Sequence, residues 1–597
     1  MAPNRSAAAR HGQESRGAAA QAAPVHGDQA WRETIESIVI AFILAFLFRG
    51  FQAEGFVIPT GSMGPTLMGL HKDLECPKCG YLYQVGASKY IDQVTGQRRG
   101  NSHVSSSTCP MCRYRADLTD RNPLGKDYLD YSGDRLQVGK FLHWMQPPQR
   151  WDVTVFKYPH GPETNYIKRM VGLPGETIRI RNGDLHVRPQ GSDEFAIARK
   201  PPDKVLAMMQ PVDDTEYVLD EMLAAGWPPR WGVVEQDVDG AKWVTNDGGR
   251  SFQIEGAPAS PAWIGFRNIV ASYTTWQKIE QGALQPRDVP PPQLVTDFCF
   301  YNSDTIDPPG PVRGRESQML GLHWVGDLIL ECELEVERAA GAISFQLTEG
   351  GRRHTCRIDL SSGIAQLSID GLPDFAPQGQ TDIRAAGTYR VRFANVDDQL
   401  HLWVKSGFRD QVIEFDAPAT FVSSDAIAPM PGDLMPVRIG AEDTDAVVQK
   451  LRIFRDVYYI ATREQTHRDL LMDYPPGSDI ESYLTEEKLA ELMSNPQRWG
   501  VLAERLAGPP VDLVIQPQHY LMLGDNSAGS MDSRLWGARN PSRRLPDDHL
   551  VHEDLLVGKA LFVYWPHAWE VPWNLQIPNT NVRVPFYPNF AKFRRIR

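Results

Sequence analysis

The 597 residues carry 74 acidic against 62 basic side chains, a formal net charge of -12, with 42% hydrophobic content. At roughly 100–200 residues per domain this is a chain of several globular units, and the acidic balance without a long basic run argues against nucleic acid as a partner. Seven cysteines, four of them in two Cys-x-x-Cys pairs, exclude a small disulfide-built secreted scaffold.

Residues 1–30 are rich in Ala, Gly, Gln and Arg and read as a disordered tail. Residues 31–50 read as a transmembrane anchor around an unbroken apolar run at 38–48. Eleven apolar residues fall short of the roughly 20 that a span needs. However, Arg32 and Arg49 can snorkel from ends about 25 Å apart along a helix, and Trp31 and Phe51 suit the interfaces. A cleaved signal peptide competes but lacks a small-x-small site after the run; a buried core helix is the third reading. Arg5, Arg10, Arg16 and Arg32 precede the run, which puts the N-terminus in the cytoplasm and everything after residue 50 outside.

Residues 51–70 hold Ile58-Pro59-Thr60-Gly61-Ser62-Met63-Gly64-Pro65-Thr66-Leu67, a Ser in a backbone stiffened by proline on both sides. Gly61 permits the close approach of a substrate or an unusual dihedral; an ordinary Ser/Thr turn is the plainer alternative. In residues 71–125, Cys76-Pro77-Lys78-Cys79 and Cys109-Pro110-Met111-Cys112 read as a zinc ribbon with tetrahedral thiolate ligation. Two disulfides or a redox pair compete, the more so outside the cytoplasm, where thiols oxidise.

Residues 126–190 contain two strands, 150–159 and 165–178. Lys168 sits among Ile167, Met170 and Val171, and on a period of two it faces away from Arg169, so one can be buried and the other solvated. A buried ammonium loses hydration and becomes a neutral amine more readily, which suits a general base. Residues 191–300 are Pro- and Trp-rich without a motif. From 301 to 460, alternations such as Leu328, Leu330, Cys332, Leu334, Val336 and Tyr389, Val391, Phe393 predict a two-sheet β-sandwich. A helical linker is expected over 461–515. Residues 516–597 carry a small-polar loop with Asp525, Asn526, Ser530, Asp532 and Arg534, then a basic tail, 592–597, suited to lipid headgroups or to solvent.

These segments, with Gly133-Asp134-Arg135-Leu136-Gln137-Val138-Gly139-Lys140, resemble the ordered serine, structural, lysine and C-terminal motifs of bacterial type I signal peptidases. The resemblance implies a mostly β fold: an antiparallel catalytic core behind one N-terminal transmembrane helix, built from 51–70, 126–190 and 516–597. It implies that Ser62 is the nucleophile and Lys168 the general base. The Ser62 N–H and the Thr60 hydroxyl form the oxyanion hole, Ser530 orients Lys168, and Asp525, Asn526, Asp532 and Arg534 support the site. Ile58, Met63, Leu67, Tyr166 and Ile167 become walls of shallow pockets for small side chains at the -1 and -3 positions of a signal peptide. Catalysis needs no cofactor; structural zinc belongs to the cysteines. The implied partners are signal peptides of exported preproteins and the lipid bilayer, and the implied place is the bacterial inner membrane, single-pass.

Residues 301–460 resemble concanavalin-like (laminin-G-like) jelly rolls, on Gly387-Thr388-Tyr389-Arg390-Val391-Arg392-Phe393 and Leu402-Trp403-Val404. A glycan or protein ligand is the implied partner of that module. Removing 301–460 is expected to leave peptide hydrolysis largely intact, because an inserted domain usually has its own core. The alternative in another class is a membrane-tethered glycan- or protein-binding protein on a degenerate protease core. A self-cleaving repressor-type Ser/Lys protease is disfavoured by the absence of a basic DNA-reading segment.

Overall fold

A computed structural model of the protein describes residues 27–51, 53–88, 103–118, 130–140, 145–234, 242–256, 258, 260–302, 304–306, 321–423, 427–461, 473, 485–506, 511–536, 549–565, 568–569, 587–588 and 593–596. The chain divides between Glu54 and Gly55. The first unit is the helix Gly27–Phe51, with Arg32 paired to Glu36 one turn on at 2.9 Å. Trp31, Ile35, Ile38, Ile40, Phe42 and Ile43 are exposed on it. No helix among the described residues is long and apolar enough to cross a membrane. The expected tail lies outside the described residues up to residue 26.

The second unit is mostly antiparallel β, as expected. One sheet runs Arg135–Gly139, Leu556–Trp565, Val153–Tyr158, Gly161–Gly172, His519–Leu523, Val551–His552 in spatial order. A smaller sheet runs Ala196–Ile197, Asp184–Pro189, Glu176–Arg181, Asp512–Val514. Segments about 350 and 420 residues apart in sequence (Leu521 opposite Gly172, Lys559 opposite Gly139) thus meet in one sheet because their Val-, Leu- and Met-rich stretches bury together. The tail does not reach only lipid or solvent: Arg594–Arg595 pairs with Leu556–Trp565, and Ile596 is buried in the core beside Ile58 and Leu136.

Two further sheets share one core. Leu330, Cys332, Leu334, Val391, Phe393 and Val448 of one pack with Ile343, Phe345, Ile358, Leu367, Val437 and Ile439 of the other. Two sheets on one core make a β-sandwich, and its strands begin well before residue 301. Gln210–Asp214, Lys242–Val244 and Ser251–Glu255 join one sheet, and Trp231–Val233 and Ala262–Phe266 join the other. Strands of three to five residues are too short to show a period, which is why 191–300 gave no fold in sequence. The helices Glu486–Met493, capped by Thr485, and Pro496–Leu506 fall in the expected linker.

Two buried charge networks tie these parts together. Lys200 donates to Asp397 at 2.7 Å and lies 2.7 Å from Asp456, joining the small sheet to the sandwich. Arg169 is the second. Its Nε and Nη2 meet Asp525 at 2.7 and 2.6 Å, and its Nη1 donates to the Trp151 carbonyl at 2.7 Å. The expectation that burial of Lys168 leaves Arg169 solvated is therefore corrected: both are buried, because the face opposite Lys168 is covered by Trp151 and the 524–526 loop. Burial lowers the Arg169 pKa, but the Asp525 carboxylate more than offsets this and holds the guanidinium charged. Arg169→Ala leaves Asp525 buried and unpaired and should cost about 3–5 kcal/mol. Urea unfolding of the purified protein measures this; a loss below about 1 kcal/mol, the range of an exposed pair, would contradict it.

Candidate active site

The Ser62 loop is a single turn, Gly61–Met63, pinned at its base. Ile58 N–H donates to the Asp134 carbonyl at 3.0 Å, Asp134 N–H to the Met68 carbonyl at 2.8 Å, and Met68 N–H to the Asp134 carboxylate at 3.0 Å. The Gly133-Asp134 box is thus a clamp on the loop. Lys168 arrives from the strand Gly161–Gly172, whose first half is exposed and whose second half, from Ile167, is buried. It stands opposite Thr154 across the sheet, and its Nζ donates to the Ser62 Oγ.

Lys168 is 3% exposed and Ser62 7%. Among the described residues no carboxylate comes within ion-pair distance of the Lys168 Nζ. The two nearest acids are already taken: Asp525 by Arg169, and Asp532 by Arg534 at 2.8 and 2.6 Å. Burial therefore dominates and lowers the Lys168 pKa to about 8, opposed by the Asp532 and Asp525 charges and helped by Arg534. Burial would raise the Asp532 pKa, yet Arg534, Lys168 and the Gly524 N–H together hold it below the usual range. A neutral amine on a serine hydroxyl, in a site that excludes most water, is arranged for proton abstraction.

The C-terminal loop closes over the serine. Asn526 N–H donates to the Ser62 carbonyl at 3.1 Å and the Asn526 Nδ2 to the Gly61 carbonyl at 3.1 Å. A Cβ on Gly524 would sit 2.3 Å from both the Ser62 carbonyl oxygen and the Ser530 Oγ, so only glycine fits there. Arg534 also donates to the Ile460 carbonyl at 2.8 Å and to the Ser527 carbonyl at 2.9 Å, which fixes the loop from beneath. Ser530 is buried beside this crossing, and its Oγ has no hydrogen-bond partner; the expected bond to Lys168 is not formed. Thr60 is half-buried at the start of the turn and makes no capping bond with its side chain.

Ile58, Met63, Leu67 and Ile167 are buried in one cluster with Leu136, Val138 and Val153. Tyr166 is half-buried against Phe156, Tyr158 and Trp536. Two residues absent from the sequence reading also reach the loop: the Tyr301 hydroxyl accepts the Gly69 N–H at 3.2 Å, and the Asn302 amide pairs with that of Asn526. Nothing in their local sequence signals a contact with a loop 240 residues upstream.

The four cysteines converge. Their sulfurs lie within 4.8 Å of one another, with Cys76–Cys112 at 3.5 Å and Cys79–Cys109 at 3.6 Å. A disulfide needs about 2.05 Å, so the thiols are unpaired. Four thiolates at about 2.3 Å from a zinc ion stand roughly 3.8 Å apart, so this donor set fits the ion and leaves no position open for chemistry.

A family model described as signal peptidase, peptidase S26, matches residues 130–222 and 461–565. It spans Lys168 and the 524–534 loop and stops short of Ser62. Signal peptidase I of Pseudomonas aeruginosa is 46% identical over 82 residues, 12% of this chain and 29% of that protein. Signal peptidase I of Rickettsia bellii is 24% identical over 162 residues, 27% of this chain and 40% of that protein. The chain thus spans less than half the length of these two curated relatives. A probable signal peptidase I-2 of Synechocystis is 28% identical over 216 residues, 35% of this chain and 70% of that protein. Among solved structures, a carbohydrate binding module, CBM66, from Bacillus subtilis covers 38% of this chain and 94% of that chain at 9% identity. Its TM-score is 0.20, too low to assign a fold or a ligand. The lysine strand and the C-terminal loop of the site described above therefore lie in segments that match the peptidase S26 family.

Proposed function

We propose that the protein is a membrane-bound signal peptidase of the Ser/Lys type, which removes signal peptides from exported preproteins after small residues at the -1 and -3 positions. The observation that carries this reading is the buried Lys168 amine, unpaired by any described carboxylate and set on the Ser62 hydroxyl. Ser62 Oγ attacks the scissile carbonyl carbon while its proton passes to the Lys168 Nζ. The tetrahedral oxyanion is received by the Ser62 N–H and the Thr60 hydroxyl. Collapse breaks the C–N bond, and the Lys168 ammonium returns the proton to the leaving amine. The acyl ester on Ser62 is then hydrolysed by water, with Lys168 again as base.

The helix Gly27–Phe51 serves as anchor in this reading, with its N-terminus cytoplasmic and the second unit extracytoplasmic. Support comes from its exposed apolar side chains and the arginines at 5, 10, 16 and 32. The cysteine cluster holds a structural zinc. The alternative of a binding protein on a degenerate core is disfavoured by the intact Ser62, Lys168 and paired Asp532–Arg534 set.

Ser62→Ala and Lys168→Ala should each abolish cleavage of a signal-peptide substrate, and the double mutant should be no worse than either single, because the two act as one unit. Wild-type kcat/KM should rise with pH and level off above about 8 as the Lys168 amine loses its proton. A rate independent of pH between 6 and 10 (a window set by the usual lysine and histidine ranges) would contradict the assignment. Thr60→Val should lower kcat by roughly 10²–10³ if its hydroxyl serves the oxyanion; an unchanged kcat removes it from that role. Elemental analysis should find about one zinc per chain, as one four-thiolate site implies. Metal-free protein with its thiols oxidised would overturn that part.

A further inference from the structure

The segment Phe298-Cys299-Phe300-Tyr301-Asn302 lies in sequence between strands of the sandwich, yet its last two residues are spent on the Ser62 loop and the loop that covers it. Tyr301 is 1% exposed. A Cβ built on Gly61 or Gly64 would fall 2.5 or 2.4 Å from the Tyr301 ring, so the side chain those glycines lack is the space the ring fills. This corrects the expectation that Gly61 makes room for substrate. The Tyr301 hydroxyl accepts the Gly69 N–H at the far end of the loop, and the Tyr301 carbonyl accepts the Gly86 N–H at 2.7 Å from the cysteine-bearing hairpin.

Asn302 acts one step further in. Its Nδ2 donates to the Asn526 Oδ1 at 3.0 Å, and its Oδ1 accepts from the Asn526 Nδ2 at 2.8 Å. The reciprocal pair fixes which way the Asn526 amide points. Only in that orientation does the Asn526 Nδ2 also meet the Gly61 carbonyl. A flipped amide would set oxygen against oxygen at both contacts.

We infer that Tyr301 and Asn302 are positioning residues that hold the Ser62 loop in register with Lys168, so the inserted half of the chain is part of the catalytic apparatus. This rests on the Ser/Lys reading above, and it reverses the expectation that residues 301–460 are dispensable for hydrolysis. Neither residue touches the reacting atoms. Their effect passes through the backbone at Gly61, Ser62 and Gly69.

The test is steady-state cleavage of a signal-peptide substrate by the full chain in detergent, for Asn302→Ala, Asn302→Asp, Tyr301→Phe and Ser62→Ala. A nucleophile displaced by roughly 1 Å loses on the order of 10²-fold in rate. Asn302→Ala should therefore lower kcat by about 10- to 100-fold with KM nearly unchanged. Asn302→Asp keeps the acceptor and loses the donor, and should fall between wild type and Ala. Tyr301→Phe, which removes one oxygen and keeps the ring, should lower kcat in the same manner while remaining folded. A kcat within about twofold of wild type for all three, with Ser62→Ala inactive, overturns the positioning role and leaves the Ser/Lys reading standing. A change in KM alone also overturns it. Cleavage that survives Ser62→Ala overturns the Ser/Lys reading and the positioning role with it.

Discussion

A lysine amine buried without a carboxylate to pair with is the constraint on which the rest of the site depends. Burying a charged ammonium is costly, and the usual remedy is an ion pair. Here two acids stand close to Lys168, and each is withdrawn by an arginine: Asp525 by Arg169 on the next residue of the same strand, Asp532 by Arg534 two residues along its own loop. Their fields still act on Lys168, but neither carboxylate accepts a hydrogen bond from it; the Lys168 Nζ donates to the Ser62 Oγ instead. The result is an amine whose charged and neutral forms are close in free energy near neutral pH.

That arrangement requires parts of the chain that are distant in sequence to be held rigidly. The Asp134 clamp fixes the base of the serine loop, Asn526 and Gly524 cover it, and Arg534 locks the covering loop to the Ile460 carbonyl. Ile460 lies at the end of the sandwich in sequence and Tyr301 between its strands Ala262–Phe266 and Leu328–Val336, so the insertion meets the site both past its last strand and from within. The Lys200 network with Asp397 and Asp456 makes the same connection at a second place.

Much of this was legible in sequence where one residue type has few reasons to occur in a pattern. The Cys-Pro-x-Cys spacing anticipated four converging sulfurs, and strict alternation in 328–336 and 387–396 anticipated the sandwich core. A lysine in an apolar strand beside an arginine flagged Lys168. What was not legible followed from packing between distant segments. The burial of Arg169 beside that of Lys168 was not legible, because alternation gives two faces and says nothing of whether both are covered. Tyr301 and Asn302 carry no local signature, and Gly61, on which the Tyr301 ring packs, reads in sequence as room for substrate or for an unusual dihedral. The short strands between 210 and 266 lie below the length at which a period can be seen. The pocket-wall residues were carried by resemblance alone, and their burial came from the core they share with Leu136 and Val153.

The most direct measurement of the central claim is the titration of Lys168 itself, by NMR of the protein labelled with carbon-13 at the lysine ε position, with Lys168→Ala assigning the resonance. The account predicts one lysine signal with a midpoint near about 8, well below the others and absent from the variant. A Lys168 signal that titrates with the surface lysines, near about 10.4, would contradict it.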